Sequence, residues 1–202
     1  MAIKRTASTA SNTNQNDLLP EGEYEGRLVY VADLGMQKRA KDFGEGIRKP
    51  IQQLSLGIEI LGKTHTYEGE TNPMLMWTAG FNILRTLTEM GNELKRFKIF
   101  SPMAKEGEVA DWDAVIGKPC SVLVTHRNGY ANIKELQPIP EKYQKDVPQG
   151  EFKDGCTGDV DDEENPAQKA MYGLPRWCVD NNRETEDEEV SGAPEDYAPD
   201  FT

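Results

Sequence analysis

Lys118-Pro-Cys-Ser-Val-Leu-Val-Thr-His-Arg-Asn-Gly-Tyr-Ala-Asn-Ile-Lys-Glu-Leu136 reads as two strands and the turn that joins them. The first arm is rich in β-branched residues. Arg127-Asn-Gly-Tyr130 carries the Asn-Gly pair that tight hairpins favour, and Ala131 to Leu136 returns as the second arm. Upstream, Asp111-Trp-Asp-Ala-Val-Ile-Gly117 predicts a short helical turn capped by Asp111 and stopped at Gly117. The stretch Ile51 to Leu61 alternates Leu54, Leu56, Ile58 and Ile60 with Gln53, Ser55, Gly57 and Glu59, the period of a half-buried strand.

Around these fixed points the remaining elements fall into order. Leu18 to Gly35 predicts a strand of about ten residues that starts at Glu23, from its density of Tyr, Val and Leu. Lys63 to Glu70 reads as a third strand behind a tight turn at Gly62. Trp77, Phe81, Ile83, Leu84, Leu87, Met90 and Leu94 recur at helical spacing, which predicts a helix from about Asn82 to Lys95. Three strands, a helix and a hairpin suit a mainly β fold: a five-stranded oligonucleotide-binding barrel with one helix between strands 3 and 4. An open antiparallel sheet with one helix packed on it satisfies the same elements.

Charge divides the chain. Its 202 residues carry a net charge of −12, with 23 Lys+Arg against 35 Asp+Glu. Residues 151–202 hold 4 of the basic and 16 of the acidic residues, leaving 19 of each before them. The expected organisation is a disordered N-terminal arm over 1–17, a domain over 18–145, and an acidic tail over 146–202, disordered apart from an apolar island at 171–178. Residues 1–17 lack the apolar run of a signal peptide, and no stretch reaches the roughly 18 apolar residues of a membrane span. A soluble intracellular protein is expected.

Cys120, Cys156 and Cys178 are odd in number and widely spaced, so free thiols are expected. His65 and His126 lack the neighbours of a metal site, and Asp159-Val-Asp-Asp-Glu-Glu164 lacks the ligand alternation and sixth-position Gly of a calcium loop. No phosphate loop, nucleophile elbow or HExxH motif is present, so no enzyme and no cofactor are expected. A metal-dependent nuclease with scattered carboxylates stays open as an alternative, as does an acidic interaction protein or DNA mimic that binds a host or phage enzyme.

Leu19-Pro-Glu-Gly-Glu-Tyr-Glu-Gly26, the run from Ile116 through Tyr130 to Pro138, and Tyr172-Gly-Leu-Pro-Arg-Trp177 together resemble a group of bacteriophage single-stranded DNA-binding proteins. The similarity covers roughly residues 18–140 plus the Leu-Pro-x-Trp segment. It implies an oligonucleotide-binding fold, no catalysis, and the coating of exposed strands during phage replication and recombination, in the cytoplasm of an infected bacterium. The ending Glu195-Asp-Tyr-Ala-Pro-Asp-Phe201-Thr202 is similar to acidic tails that dock on replication proteins such as polymerase, helicase or primase, but adds Thr after Phe. By that likeness Trp177, Tyr197, Asp200 and Phe201 are docking residues.

Sequence-independent binding of a single strand needs cations along the phosphates and exposed aromatic faces for the bases. The segment 38–49 offers Lys38, Arg39, Lys41, Arg48 and Lys49 around Phe43. Arg27 and Tyr30 lie on the first strand at opposite parity, so only one of them can face a groove. Arg127, Tyr130, Asn132 and Lys134 cluster at the hairpin, the last three on one face by even spacing. Trp77, Phe81 and Trp112 read as core, and Lys95, Arg96 and Lys98 as complements to a helix C-terminus. The tail is expected to compete with DNA for the cationic groove, and a homo-oligomer is possible.

Overall fold

The computed structural model describes residues 18–37, 50–67, 70–152 and 155–159. Seven strands form one sheet: β1 (Gly22–Gln37), β2 (Ile51–Tyr67), β3 (Glu70–Trp77), β4 (Phe81–Asn82), β5 (Pro119–Arg127), β6 (Tyr130–Pro138) and β7 (Cys156–Asp159). The order along the sheet is β3-β2-β1-β5-β6, with β4 paired to β2 and β7 to β1. Every pair is antiparallel except β1 with β7, which is parallel. The sheet is open, and β3 and β6 form no backbone ladder with each other.

β1 organises the molecule because one edge serves two partners in succession. Gly22 to Arg27 pair with β5, after which Tyr30 to Asp33 pair with β7. The other edge pairs with β2 along most of its length. The changeover coincides with a bulge: Leu28 faces Ile58 and Tyr30 faces Gly57, leaving Val29 as the extra residue. β1 and β5 part there, and the C-terminal strand fills the freed edge.

One side of the sheet holds the main core. Leu28, Leu56, Ile58, Ile60, Cys120, Val122 and Val124 project from the strands to meet Phe81, Leu87, Trp112 and Val115. The helix α1 (Asn92–Phe100) closes this side with Leu94, Phe97 and Phe100. Each such side chain contributes about 1.5–3 kcal/mol by leaving water. Burial drives the Cys120 thiol pKa up to about 12, so it stays neutral and behaves as a small apolar residue. A smaller cluster lies on the opposite side: Val29 and Tyr30, packed by Leu75, Trp77, Phe152 and Cys156.

Two expected elements are misplaced by the sequence. Gly62 is not a turn: β2 runs through it to Tyr67, and its φ of 66° lies at a register shift between Ile60 and Thr64. The chain reverses between Tyr67 and Glu70 instead. Helix formation starts at Asn92, ten residues late, because β2 claims the backbone of 78–83. The Thr78 and Ile83 N–H groups donate to Leu56 and Gln52 carbonyls, and Phe81 pairs with Leu54. Phe81 and Leu87 are buried without a helix, and Leu94 is buried from α1.

The boundary at 145/146 also moves. After a four-residue helix α2 (Glu141–Gln144), Val147 is buried, and residues 147–152 cross the face that carries Arg27, Tyr30 and Glu59 as a strap, after which Cys156–Asp159 join the sheet as β7. Among the described residues no helix is long and apolar enough to cross a membrane.

Candidate nucleic-acid interface

The β5–β6 hairpin closes as its Asn-Gly pair predicts. Asn128 and Gly129 have φ values of 53° and 81°, the left-handed pair that a two-residue hairpin loop requires. Asn132 locks the turn by donating to the Tyr130 carbonyl at 2.8 Å and to that of Arg127 at 3.4 Å. Tyr130 is left 63% exposed beside the exposed Arg127. Ala131 and Ile133, on the other face, are half-buried and pack against the core. Val124 faces Ile133 and Leu123 faces Glu135, so the ladder slips at Lys134. Lys134 is exposed, but the strict alternation that puts it with Tyr130 and Asn132 ends there.

Arg27 and Tyr30 have a different setting, and both expectations for them are corrected. The bulge at Val29 cancels their opposite parity, because Arg27 faces Glu59 and Tyr30 faces Gly57 on one side of the sheet. Neither meets solvent: Arg27 is 9% exposed and Tyr30 6%. The Arg27 guanidinium donates to the carbonyls of Pro148, Gly117 and Val147 at 2.7, 2.6 and 2.9 Å. It ties the strap and the 117 turn to β1. The Tyr30 ring stacks on Trp77 at a centroid distance of 6.2 Å and meets the edge of Phe152 at 5.9 Å. An arginine spent on carbonyls and a tyrosine held between aromatics are structural, so neither is available to phosphate or base.

Glu59 is the third member of this covered face. It is 2% exposed, and its Oε1 accepts the Glu151 N–H at 2.7 Å. Its Oε2 is buried without a hydrogen-bond partner, as is the Trp77 Nε1. A cavity of about 500 Å³ opens between strap and sheet, lined by Arg27, Glu59, Gly117, Gly150 and Phe152 among others. In the sequence Glu59 is one polar residue of an alternating strand, which gives no hint that a segment some ninety residues later buries it.

Trp112 and Phe81 are core residues as expected, whereas Trp77 belongs to the smaller cluster around Val29 and Tyr30. The Trp112 indole donates to Glu93 at 3.4 Å and the Leu84 N–H to the same carboxylate at 3.3 Å. Burial raises the Glu93 pKa above 4.5, and these two donors only partly oppose it. The Arg96 guanidinium lies 4.6 Å from the Phe81 ring centre, which explains it without DNA. Cys120 is a buried free thiol. Among the described residues no group of three His, Cys, Asp or Glu side chains could hold a metal ion.

Lys38, Arg39, Lys41, Phe43, Arg48 and Lys49 lie outside the described residues, as do Trp177, Tyr197, Asp200 and Phe201, and with them the tail beyond 159 and the N-terminal arm. The segment 38–49 leaves β1 at its Gln37 end, whereas Gly22 pairs with Val124 next to the hairpin. The two cationic clusters are thus anchored at opposite ends of one 16-residue strand. No protein-family model, curated protein or solved structure matches this chain.

Proposed function

We propose that this is a phage-type single-stranded DNA-binding protein that coats exposed strands without catalysis, working in the cytoplasm of an infected bacterium. The observation that carries the reading is the β5–β6 hairpin, which holds the exposed Tyr130 beside Arg127, whereas Tyr30 and Phe81 of the same sheet are buried. An exposed ring next to a cation is what base stacking and phosphate contact require, at about 1–3 kcal/mol per stacked base. The finer fold reading is a partly open oligonucleotide-binding barrel. The strand order β3-β2-β1-β5-β6 supports it, as does the approach of β3 and β6 to within 8 Å between Cα atoms, with α1 beside β4, β5 and β6. In this reading the acidic tail competes with phosphate for the protein's cations and docks on replication proteins once DNA displaces it.

Anisotropy of a labelled single-stranded oligonucleotide, with and without magnesium, tests the proposal. Retention without cutting supports it, and Tyr130→Ala with Arg127→Ala weakens retention. Absence of retention favours an acidic partner of some enzyme, the reading that the net charge of −12 supports. Magnesium-dependent cutting favours a nuclease.

A further inference from the structure

Two loops flank α1 in sequence, residues 84–91 before it and 101–111 after it, and hydrogen bonds lace them together. The Leu87 N–H donates to the Glu108 carbonyl at 2.8 Å, and the Gly107 N–H returns to the Leu87 carbonyl at 2.9 Å. The Glu89 N–H donates to the Glu106 carboxylate at 3.4 Å. Leu87 and Ala104 turn into the core, whereas Met90 is 94% exposed, Met103 82%, Val109 74% and Leu84 53%. Seven large apolar side chains stand exposed among the described residues, and with four of them here the laced loops are the main apolar surface left uncovered. The same loops carry Arg85 and Lys105 against Glu89, Glu106, Glu108 and Asp111, a net charge of −2. A ligand that complements them is apolar and cationic.

We infer that the laced loops are the docking surface for residues 165–179 of the same chain. That segment, Asn165-Pro-Ala-Gln-Lys-Ala-Met-Tyr-Gly-Leu-Pro-Arg-Trp-Cys-Val179, holds Lys169 and Arg176, no acid, and the apolar Met171, Tyr172, Leu174 and Trp177. The other residues beyond 159 hold 1 Lys+Arg against 13 Asp+Glu, so this stretch alone among them complements the loops in both charge and apolar content. The chain is long enough to bring it there. Asp159 pairs with Asp33 of β1, Asp33 with Leu54 of β2, and Leu54 with Phe81 of β4, which stands three residues before Leu84. Three strand spacings make about 14 Å, and the five residues 160–164 extend to about 17 Å, so the segment starts within reach of the loops. So short a tether gives an effective concentration in the millimolar range, where weak contacts suffice, of the kind that open well before the fold melts. Docking fixes the middle of the acidic stretch to the body and leaves Tyr197 and Phe201 for other partners. The inference stands apart from strand binding.

Cys178, next to Trp177, is a natural probe for the contact. In the full chain carrying Met103→Cys, a short bismaleimide should join residues 103 and 178 within one molecule, located by mass spectrometry of the digested protein. The comparison is a full chain carrying Met36→Cys, also at an exposed position. Met36 lies three residues from Asp33, the partner of Asp159, so a tail that does not dock would favour it over Met103. The yield at 103 should instead be several times that at 36. Adding Met90→Asp and Val109→Asp, both at exposed positions that leave the core intact, should remove the excess. A yield at 103 no greater than at 36 overturns the inference, as does an excess that survives the two aspartates. Crosslinks from 103 to 178 that join two molecules, seen as a covalent dimer, also overturn it and assign the surface to a second copy. None of these outcomes depends on whether the protein binds an oligonucleotide, so strand coating stands or falls separately.

Discussion

Arg27 with Tyr30 and Arg127 with Tyr130 are the same two residue types at the same spacing, and they end in opposite environments. The first pair is clamped under the strap, its cation consumed by three carbonyls and its ring held between Trp77 and Phe152. The second stands in solvent on a hairpin, with 63% of Tyr130 exposed. The residues between them differ: Leu28-Val29 carry the first pair along a strand, whereas Asn128-Gly129 fold the second into a turn. A bulge at Val29 turns Arg27 and Tyr30 to one face, and residues 147–152 then cover that face. Among the described residues none covers Tyr130, which stays 63% exposed.

Mutations that treat the two pairs alike are the sharpest way to break this contrast. Arg27→Ala and Tyr30→Ala should each lower unfolding free energy by about 3–5 kcal/mol in denaturant titrations, by orphaning buried carbonyls in the first case and opening a cavity in the second. Tyr130→Ala should leave stability within about 0.5 kcal/mol and weaken oligonucleotide binding by about 1–3 kcal/mol, read from anisotropy. Equal stability losses at Tyr30 and Tyr130 would erase the distinction. Removing residues 160–202, which hold 3 Lys+Arg against 13 Asp+Glu, should tighten DNA binding at low salt and leave the melting temperature unchanged. A cut at 151 should instead lower the melting temperature, because the rest of the strap goes with it. Asp111→Ala should cost about 1 kcal/mol, since Asp111 Oδ1 accepts the Ala114 N–H at 3.1 Å.

The smallest effect concerns pH. Glu93 has a folded-state pKa raised above 4.5, chiefly by burial. Its contribution to stability is therefore full below 4.5 and is lost as pH rises through the folded value. The difference in unfolding free energy between the unaltered protein and Glu93→Gln should shift in favour of the variant over that range, and a difference independent of pH would count against the assignment.

What the sequence revealed follows the reach of each interaction. The hairpin was legible because Asn128 and Gly129 specify their own turn. The β2 alternation was legible too, and Leu54, Leu56, Ile58 and Ile60 are buried on the core side. Its polar face was read as solvated, yet Ser55 bonds to the Thr78 carbonyl and Glu59 to the Glu151 N–H. The helix was drawn ten residues early for a related reason: apolar spacing reports which residues are buried, not which backbone conformation buries them. The strap could not be found, since Gly150, Phe152 and Cys156 sit within a stretch whose composition reads as acidic tail. Its only advance signal was that Phe152 and Cys156 interrupt the acid.

The parallel pairing of β7 with β1 also sets the order in which the molecule can be made. Arg27 leaves the ribosome 120 residues ahead of Val147, the residue whose carbonyl it must bind. Until then the far half of β1 has one neighbouring strand, and the stacked rings of Tyr30 and Trp77 have no Phe152 to cover them. Contacts so distant in sequence close slowly, because a long loop must be ordered before they repay it. Strap docking is therefore the late step of folding. During synthesis, the incomplete chain displays an open strand edge on β1 and an aromatic surface that the finished protein conceals.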